Sequence, residues 1–394
     1  MEQVVKKYAR KLRSVGLADN PIVCGLDDEI VWNQLSDDIP VLEEVLDGMN
    51  INSLICAQPV EPYLTIFRFL TSRYPETITP GDCETRTFLH DVPVIRDFTS
   101  GPILTYLRKR KSVVLASGDT IRLITYGAVS PEQAFVSFSS VCFSAFVLFF
   151  SDYLVDCRQG ILSEAQQQAF VAAVTLLEPP QRTLPEIMKG PFSNEQQIYQ
   201  AIIETGRFTV DFGLVDSYFG NISYRSDKTI YISQTGSSLD ELAGCIDPCP
   251  MDDVSCAGIT ASSELVAHDE IYRNTDNRAI LHGHPKFAVI LSMDCSDFDC
   301  INREQCHIKC SKNRSVEDVP IVPGEVGTGP TGLCHTLPPA IQNKRGVIVW
   351  GHGLFTVATD DFNEAFRHLL EIENMCRETY FARVEHLCSG EKKQ

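Results

Sequence analysis

Ala279-Ile280-Leu281-His282-Gly283-His284-Pro285 sets two histidines one residue apart in an apolar run. Read as a strand, the run alternates its side chains, so residues i and i+2 share a face and both imidazoles can reach one ion. A third nitrogen comes from further along the chain. Val347-Ile348-Val349-Trp350 is a second short apolar run ending at Gly351-His352-Gly353, whose glycines let the backbone turn and set His352 at a strand end. Three neutral imidazoles with an open fourth position form the catalytic arrangement of zinc, with Zn–N bonds of roughly 2.0–2.1 Å. Upstream, Ser262-Ser263-Glu264 contributes a carboxylate. Glu264 is expected to fill the fourth position at rest and to leave when substrate arrives, which frees it for proton transfer. His268, four residues on and on the same helix face, is expected to support the site or to pack rather than to bind metal.

Ser262 is expected to cap a helix over 263–275. Free backbone N–H groups and two hydroxyls would then converge where the helix dipole favours an anion such as a phosphate.

The order Ser-Ser-Glu, helix, His-x-His-Pro, Gly-His-Gly resembles the class II aldolase/adducin family over roughly 194–387. Phe219-Gly220-Asn221-Ile222-Ser223 resembles that family's Ser-Gly-Asn-Ile-Ser turn, with Phe219 in place of the serine, and Ile232-Ser233-Gln234-Thr235-Gly236 resembles its strand-end phosphate loop. The resemblance implies a layered α/β/α domain with a divalent metal, most simply Zn2+, on His282, His284 and His352. It implies Glu264 as acid/base, and Asn221, Thr235, Gly236, Ser262 and Ser263 around a substrate phosphate. The implied activity is a carbon–carbon lyase acting on a small phosphorylated sugar through a metal-stabilised enediolate. Epimerases and dehydratases of the family share that chemistry, and adducin's head domain resembles the fold without being an enzyme. Family enzymes are homo-oligomers whose active sites are completed by a neighbouring subunit.

Composition narrows the remaining classes. In 394 residues, 44% are hydrophobic, enough for sizeable cores and a prior of two domains. A formal charge of -18 argues against a nucleic-acid partner, which demands Lys/Arg stripes. Met1-Glu2-Gln3-Val4-Val5-Lys6-Lys7 carries no apolar leader, so a cytoplasmic protein with reduced cysteines is expected. The stretch 134–154 is strongly apolar, but serines interrupt it short of the roughly 18 residues a span needs, and no membrane role is assigned. Its phenylalanines, Phe143 to Phe150, are expected to need a partner surface.

The amino-terminal half repeats part of this pattern without its chemistry. Leu35-Ser36-Asp37-Asp38, a helix, and Ser53-Leu54-Ile55-Cys56-Ala57-Gln58-Pro59 parallel the Ser-Ser-Glu and His-x-His-Pro segments at constant spacing, with Cys56 and Gln58 in place of the histidines. Val113 to Asp119 stands where Val347 to Gly353 stands, and the third histidine is gone. With no Asn-Ile-Ser or Thr-Gly element in this half, residues 1–178 are expected to be a truncated, ligand-free copy serving packing and assembly. Residues 190–394 then form the metal-binding domain.

Cys295, Cys300, Cys306 and Cys310, with His307 beside them, crowd an apparent insertion. A structural metal or iron–sulfur centre is one reading, and reduced thiols in a loop the other, because no paired C-x-x-C occurs. Cys245, Cys249 and Cys256 form a looser group with the same two readings.

Overall fold

The computed structural model describes all residues except 216–217, 253–255 and 390–394. The chain divides into two compact units, Met1–Glu178 and Pro179–Gln394. In the first, α1 (Glu2–Ser14) leads into β1 (Ile22–Leu26) and β2 (Ile30–Trp32), then α2 (Ile39–Asp47), β3 (Ser53–Ala57), α3 (Tyr63–Arg73), β4 (Thr77–Ile78) and α4 (Cys83–Leu89). It continues through β5 (Val92–Ile95), α5 (Ser100–Leu107), β6 (Ser112–Ser117) and β7 (Thr120–Gly127), and closes on α6 (Pro131–Gln159) and α7 (Glu164–Thr175).

The second unit begins with α8 (Glu195–Asp211) and a meander of β8 (Asn221–Ser226), β9 (Thr229–Ser233) and β10 (Ile246–Pro250). Next come α9 (Leu265–Asn274), β11 (Ala279–Gly283), α10 (Lys286–Met293), β12 (Arg314–Val316) and β13 (Val319–Val322). The last elements are α11 (Leu333–Ile341), β14 (Gly346–Val349), β15 (Gly353–Ala358) and α12 (Phe362–Cys388).

Both sheets have the same topology. The first runs β2-β1-β3-β7-β6-β5-β4 and the second β10-β9-β8-β11-β15-β14-β13-β12, so β1 falls on β8, β3 on β11 and β7 on β15, with β10 as the addition. In each sheet the corresponding pair, β5–β6 or β13–β14, is parallel while its neighbours run antiparallel. Side-chain bonds recur at matched positions. Thr125 Oγ1 donates to Ala134 O and Thr356 Oγ1 to Ala365 O, both at 2.8 Å, tying a central strand to the first turn of the long helix. Val23 N donates to Asn33 Oδ1 and Ile222 N to Ser233 Oγ, at 2.7 and 3.2 Å.

The first unit is thus a fuller copy than the sequence suggests. Strands β1 and β2 hold the places of β8 and β9, although Ile22-Val23-Cys24 replaces Asn-Ile-Ser. The Thr235-Gly236 loop and β10 have no counterpart there. The hairpin turns at Asp27-Asp28-Glu29 and carries none of the Asn-Ile-Ser or Thr-Gly residues, so its identity emerges only from which strand it pairs with.

Period-2 alternation splits each sheet into two buried faces. In the first, Cys24, Leu54, Val113 and Ile124 pack with Leu42 and Val45 of α2 and Ile103 and Leu107 of α5, while α1 and α6 contact the sheet from its other side. In the second, Ile232, Ile280, Val347 and Phe355 pack with Ile271 of α9 and Leu337 of α11, while α8 and α12 contact the sheet separately.

Helix α6 has the length and apolarity of a membrane span, yet 89% of its most apolar window is buried within the protein. Phe146 meets Tyr63, Phe149 meets Phe69, and Phe150 meets Phe170, all in the same unit. The phenylalanines expected to seek a partner surface find it on α3 and α7, which makes α6 a core helix.

If the two threonine bonds are equivalent struts, Thr125→Val and Thr356→Val should each lower stability by about 1 kcal/mol. Urea denaturation of the full chain checks this. A loss in one variant and none in the other would contradict the equivalence.

Candidate metal centre

Strand β11 lies between β8 and β15, and its register sets His282 opposite Asn221 on one side and Phe355 on the other. The His282 ring stacks on the Phe355 ring at 3.8 Å between centroids, and its Nδ1–H donates to Leu354 O at 3.2 Å. With Nδ1 so engaged, Nε2 is the nitrogen that faces the cluster, and a neutral ring presents its lone pair there. Just past the strand end, His284 Nε2 lies 3.0 Å from His282 Nε2, and His352 Nε2 approaches His282 Nε2 to 3.2 Å from the β14–β15 turn. All three rings are buried, and their ligand atoms lie within 4.8 Å of one another.

Glycine permits this crowding. A Cβ on Gly353 would sit 2.5 Å from Gly283 O and 2.7 Å from His282 Cε1, so the turn carrying His352 can close on His282 only with no side chain there.

Glu264 completes the cluster. Its Oε1 is 3.0 Å from His352 Nε2, its Oε2 is 3.6 Å from His282 Nε2, and Asn221 Nδ2 donates to Oε2 at 2.6 Å. Burial pushes the carboxyl up, but the charges of His282 and His352 and the bonds from His352 and Asn221 outweigh it and hold Glu264 below the usual carboxylate range. His284 is driven the other way, far below the usual histidine value, by burial first and then by His282 and His352. A neutral imidazole beside an ionised carboxylate is a donor set suited to a divalent cation. The spacing fits too, since nitrogens at roughly 2.05 Å from one ion and at tetrahedral angles stand about 3.3 Å apart. Among the described residues, the buried His284 Nδ1 and Asn221 Oδ1 have no hydrogen-bond partner.

The candidate phosphate residues are drawn to the same end of the sheet. Thr235 N donates to Thr260 O at 3.0 Å and Ser262 N to Ser233 O at 3.0 Å, which sews the Thr235-Gly236 loop beside Ser262. Ser263, Thr235 and Gly236 are exposed, whereas Ser262 and Asn221 are buried. Helix α9 begins later than expected, with Glu264 rather than Ser262 at its N-cap, because Ser262 Oγ closes a turn on Glu264 N at 3.3 Å. His268 is fully buried on α9, where its Nδ1 meets Ser223 Oγ at 2.6 Å and burial pushes it down to about 3. It packs behind the carboxylate and is not among the grouped ligands.

Phe219, in the place of the family's serine, stacks on His284 at 5.4 Å and 13°. The site therefore has an aromatic wall where a hydroxyl was the reference. Phe355, the Leu354 carbonyl and that stacking role were not legible beforehand, because each depends on strand register or loop placement.

The cysteines of the insertion are not grouped as metal ligands among the described residues. Among the described residues, the group of three or more ligand atoms within 4.8 Å is the histidine triad, and Cys295, Cys300, Cys306 and Cys310 are free thiols. Their irregular spacing leaves them near enough to raise the Cys306 thiol, after burial, but no closer. Cys245 and Cys249 are also free, and the side chain of Cys256 lies outside the described residues.

At the matching place in the first unit the charges are arranged differently. Asp38 is the N-cap of α2 as Glu264 is of α9, and its N–H bonds Ser36 Oγ at 3.2 Å in the same local turn. Cys56 lies opposite Ile22 and Ile124, as His282 lies opposite Asn221 and Phe355. Strands β6 and β7 continue into a tight hairpin at Ser117 and Thr120, so nothing projects where His352 does. Arg122 pairs with Leu115 as Gly353 pairs with Val349, and its Nη1 donates to Asp38 Oδ2 at 2.5 Å, beside the Cys56 thiol. Burial pushes that thiol up to about 12, so Cys56 stays protonated. A guanidinium here neutralises the helix-start carboxylate.

The family model described as Class II Aldolase and Adducin N-terminal domain matches residues 200–380. No curated protein matches the chain. Among solved structures, L-fuculose-1-phosphate aldolase from Thermus thermophilus is similar at 23% identity, over 48% of this chain and 97% of its own, with a TM-score of 0.39. A sugar-phosphate aldolase from Thermotoga maritima aligns at 17% identity over 50% of this chain and 98% of its own, with a TM-score of 0.37. L-fuculose 1-phosphate aldolase from Glaciozyma antarctica aligns at 14% identity over 49% and 80%, with a TM-score of 0.31. The family model and the ordered Ser-Ser-Glu, His-x-His-Pro and Gly-His-Gly segments coincide in one half of the chain: residues 200–380 match the class II aldolase and adducin family model.

Proposed function

We propose that the second unit is a metal-dependent lyase of the class II aldolase type, acting on a small phosphorylated sugar with Zn2+ on His282, His284 and His352. The observation that carries this is a buried Glu264 carboxyl held 3.0 Å from His352 Nε2 at the edge of three converging imidazoles. When bound, the ion supplies Lewis-acid polarisation of the substrate's oxygens.

The chain's own groups do the rest. His282 is oriented by Leu354 O, and Glu264 is oriented by Asn221, which fixes where its proton acceptor points. In the cleavage direction Glu264 takes the substrate's hydroxyl proton at a carboxylate oxygen as the carbon–carbon bond breaks and a carbonyl forms, and it delivers that proton to the carbon left with the bonding pair. Asn221, Thr235, Gly236, Ser262 and Ser263 receive the phosphate through their side-chain hydroxyls and amide and the backbone N–H groups of Gly236 and Ser263. Homo-oligomeric assembly and a cytoplasmic location belong to the same proposal. Epimerisation or dehydration of a similar substrate would use the same groups.

The non-enzymatic reading, a binding protein like adducin's head, has one observation in its favour: the first unit keeps the sheet while Cys56 and Arg122 replace the chemistry. For that unit, residues 1–178, we propose a role in packing and assembly, with no catalysis. The retention of three histidines and Glu264 in the second unit, 190–394, favours the enzyme there.

Metal analysis of the purified chain should find a divalent ion that His282→Ala combined with His284→Ala removes. Unchanged metal content in that variant would place the ion elsewhere. Turnover is the readout for Glu264→Gln, screened with phosphorylated ketoses and aldehydes. It should keep its metal while turnover falls by roughly two to four orders of magnitude. Near-normal turnover would assign the proton transfer to another group.

A further inference from the structure

Helix α10 links two of the candidate ligands. Its first residue, Lys286, follows His284 with only Pro285 between them. At that end the N–H groups of Phe287 and Ala288 donate to the two carboxylate oxygens of Glu373 on α12, each at 2.9 Å. Near the other end, Ser292 Oγ accepts the N–H of Gly351 at 2.8 Å, one residue before His352, while its own hydroxyl donates to Val289 O. Ser292 is fully buried.

A helix start leaves N–H groups unsatisfied, and a carboxylate across two of them fixes both position and direction. Here the carboxylate comes from a different helix 86 residues away in sequence, so the bond sets the start of α10 against α12 rather than merely closing a local turn. Burial pushes the Glu373 carboxyl up to about 7, against the pull of the two N–H groups.

The first unit supplies the contrast. With Thr125 and Ala134 set on Thr356 and Ala365, the position of Glu373 falls on Cys142, a buried thiol. The helix following β3, α3, is instead served by a nearby side chain, with Thr65 N donating to Glu61 Oε2 at 3.0 Å. The long-range carboxylate clamp occurs in the unit that carries the histidines.

We propose that Glu373 and Ser292 are positioning residues for the metal centre, holding α10 as a strut that fixes His284 relative to His352. This rests on the histidine triad being a metal site. Groups behind metal ligands commonly govern affinity and geometry as strongly as this proposal requires.

The test uses full-length protein and Co2+ as the probe, reading affinity by titration and ligand geometry by the visible absorption of the bound ion. Glu373→Gln should weaken Co2+ binding by about 10- to 100-fold and shift the absorption band. Ser292→Ala, a milder change, should move both readouts in the same direction. Asn194→Ala, which removes the side-chain cap of α8 at Gln197 N, should lower the melting temperature and leave both readouts unchanged. If Glu373→Gln and Ser292→Ala melt earlier but bind Co2+ with the parent's affinity and spectrum, the clamp is only structural and the proposal is overturned. A parent chain that binds no Co2+ overturns the metal reading itself, and the strut with it.

Discussion

Three imidazole nitrogens and one carboxylate, all buried, face one another across about 3 Å, and the second unit is built to tolerate that arrangement. Polar groups withdrawn from water are costly unless each is paired, and these four cannot fully pair among themselves. The surrounding structure fixes what it can. Strand register holds His282 between Asn221 and Phe355, a bare Gly353 lets His352 close in, and Asn221 holds one carboxylate oxygen. What is left is a set of imidazole nitrogens beside a carboxyl group, a donor set suited to a divalent ion.

The first unit meets the same constraint by another route. Its helix-start carboxylate, Asp38, stands where Glu264 stands, and the nearby positive charge is a tethered guanidinium, Arg122. Cys56 stays neutral in place of an imidazole. A side-chain cation needs no exchangeable ligand and offers no open coordination position, so the sheet carries an Arg122–Asp38 ion pair where the second unit carries imidazoles. The shared strand order and the paired threonine bonds make the two units readable as one architecture with two electrostatic solutions.

How much of this was visible beforehand follows from how local each signal is. His-x-His on a strand and Gly-His-Gly at a turn are short-range patterns whose geometry follows from strand period and glycine freedom, and the structure brings them together. Asp38 and Cys56 are separated by the same eighteen residues as Glu264 and His282, which is why the copy could be detected at all. Arg122 escaped notice because the hairpin between β6 and β7 is longer than its counterpart, so constant spacing pairs His352 with Gly118 instead. Strands β1 and β2 escaped because an apolar hairpin declares its place only through its partners. Glu373 left a faint trace, as a carboxylate beside Ile372 and four residues from Leu369 on an otherwise apolar helix face. Ser292 left none, since a serine near a helix end usually bonds its own backbone. The cysteines of the insertion lie near enough to influence one another, but among the described residues they are not grouped as metal ligands.

The most direct measurement is a crystal structure of the full chain with anomalous scattering recorded at a divalent metal's absorption edge. The account predicts one peak, bonded to the Nε2 atoms of His282, His284 and His352 at roughly 2.0–2.1 Å, and none between Asp38 and Cys56. A peak in the first unit, or three histidines with no ion after metal loading, would contradict it.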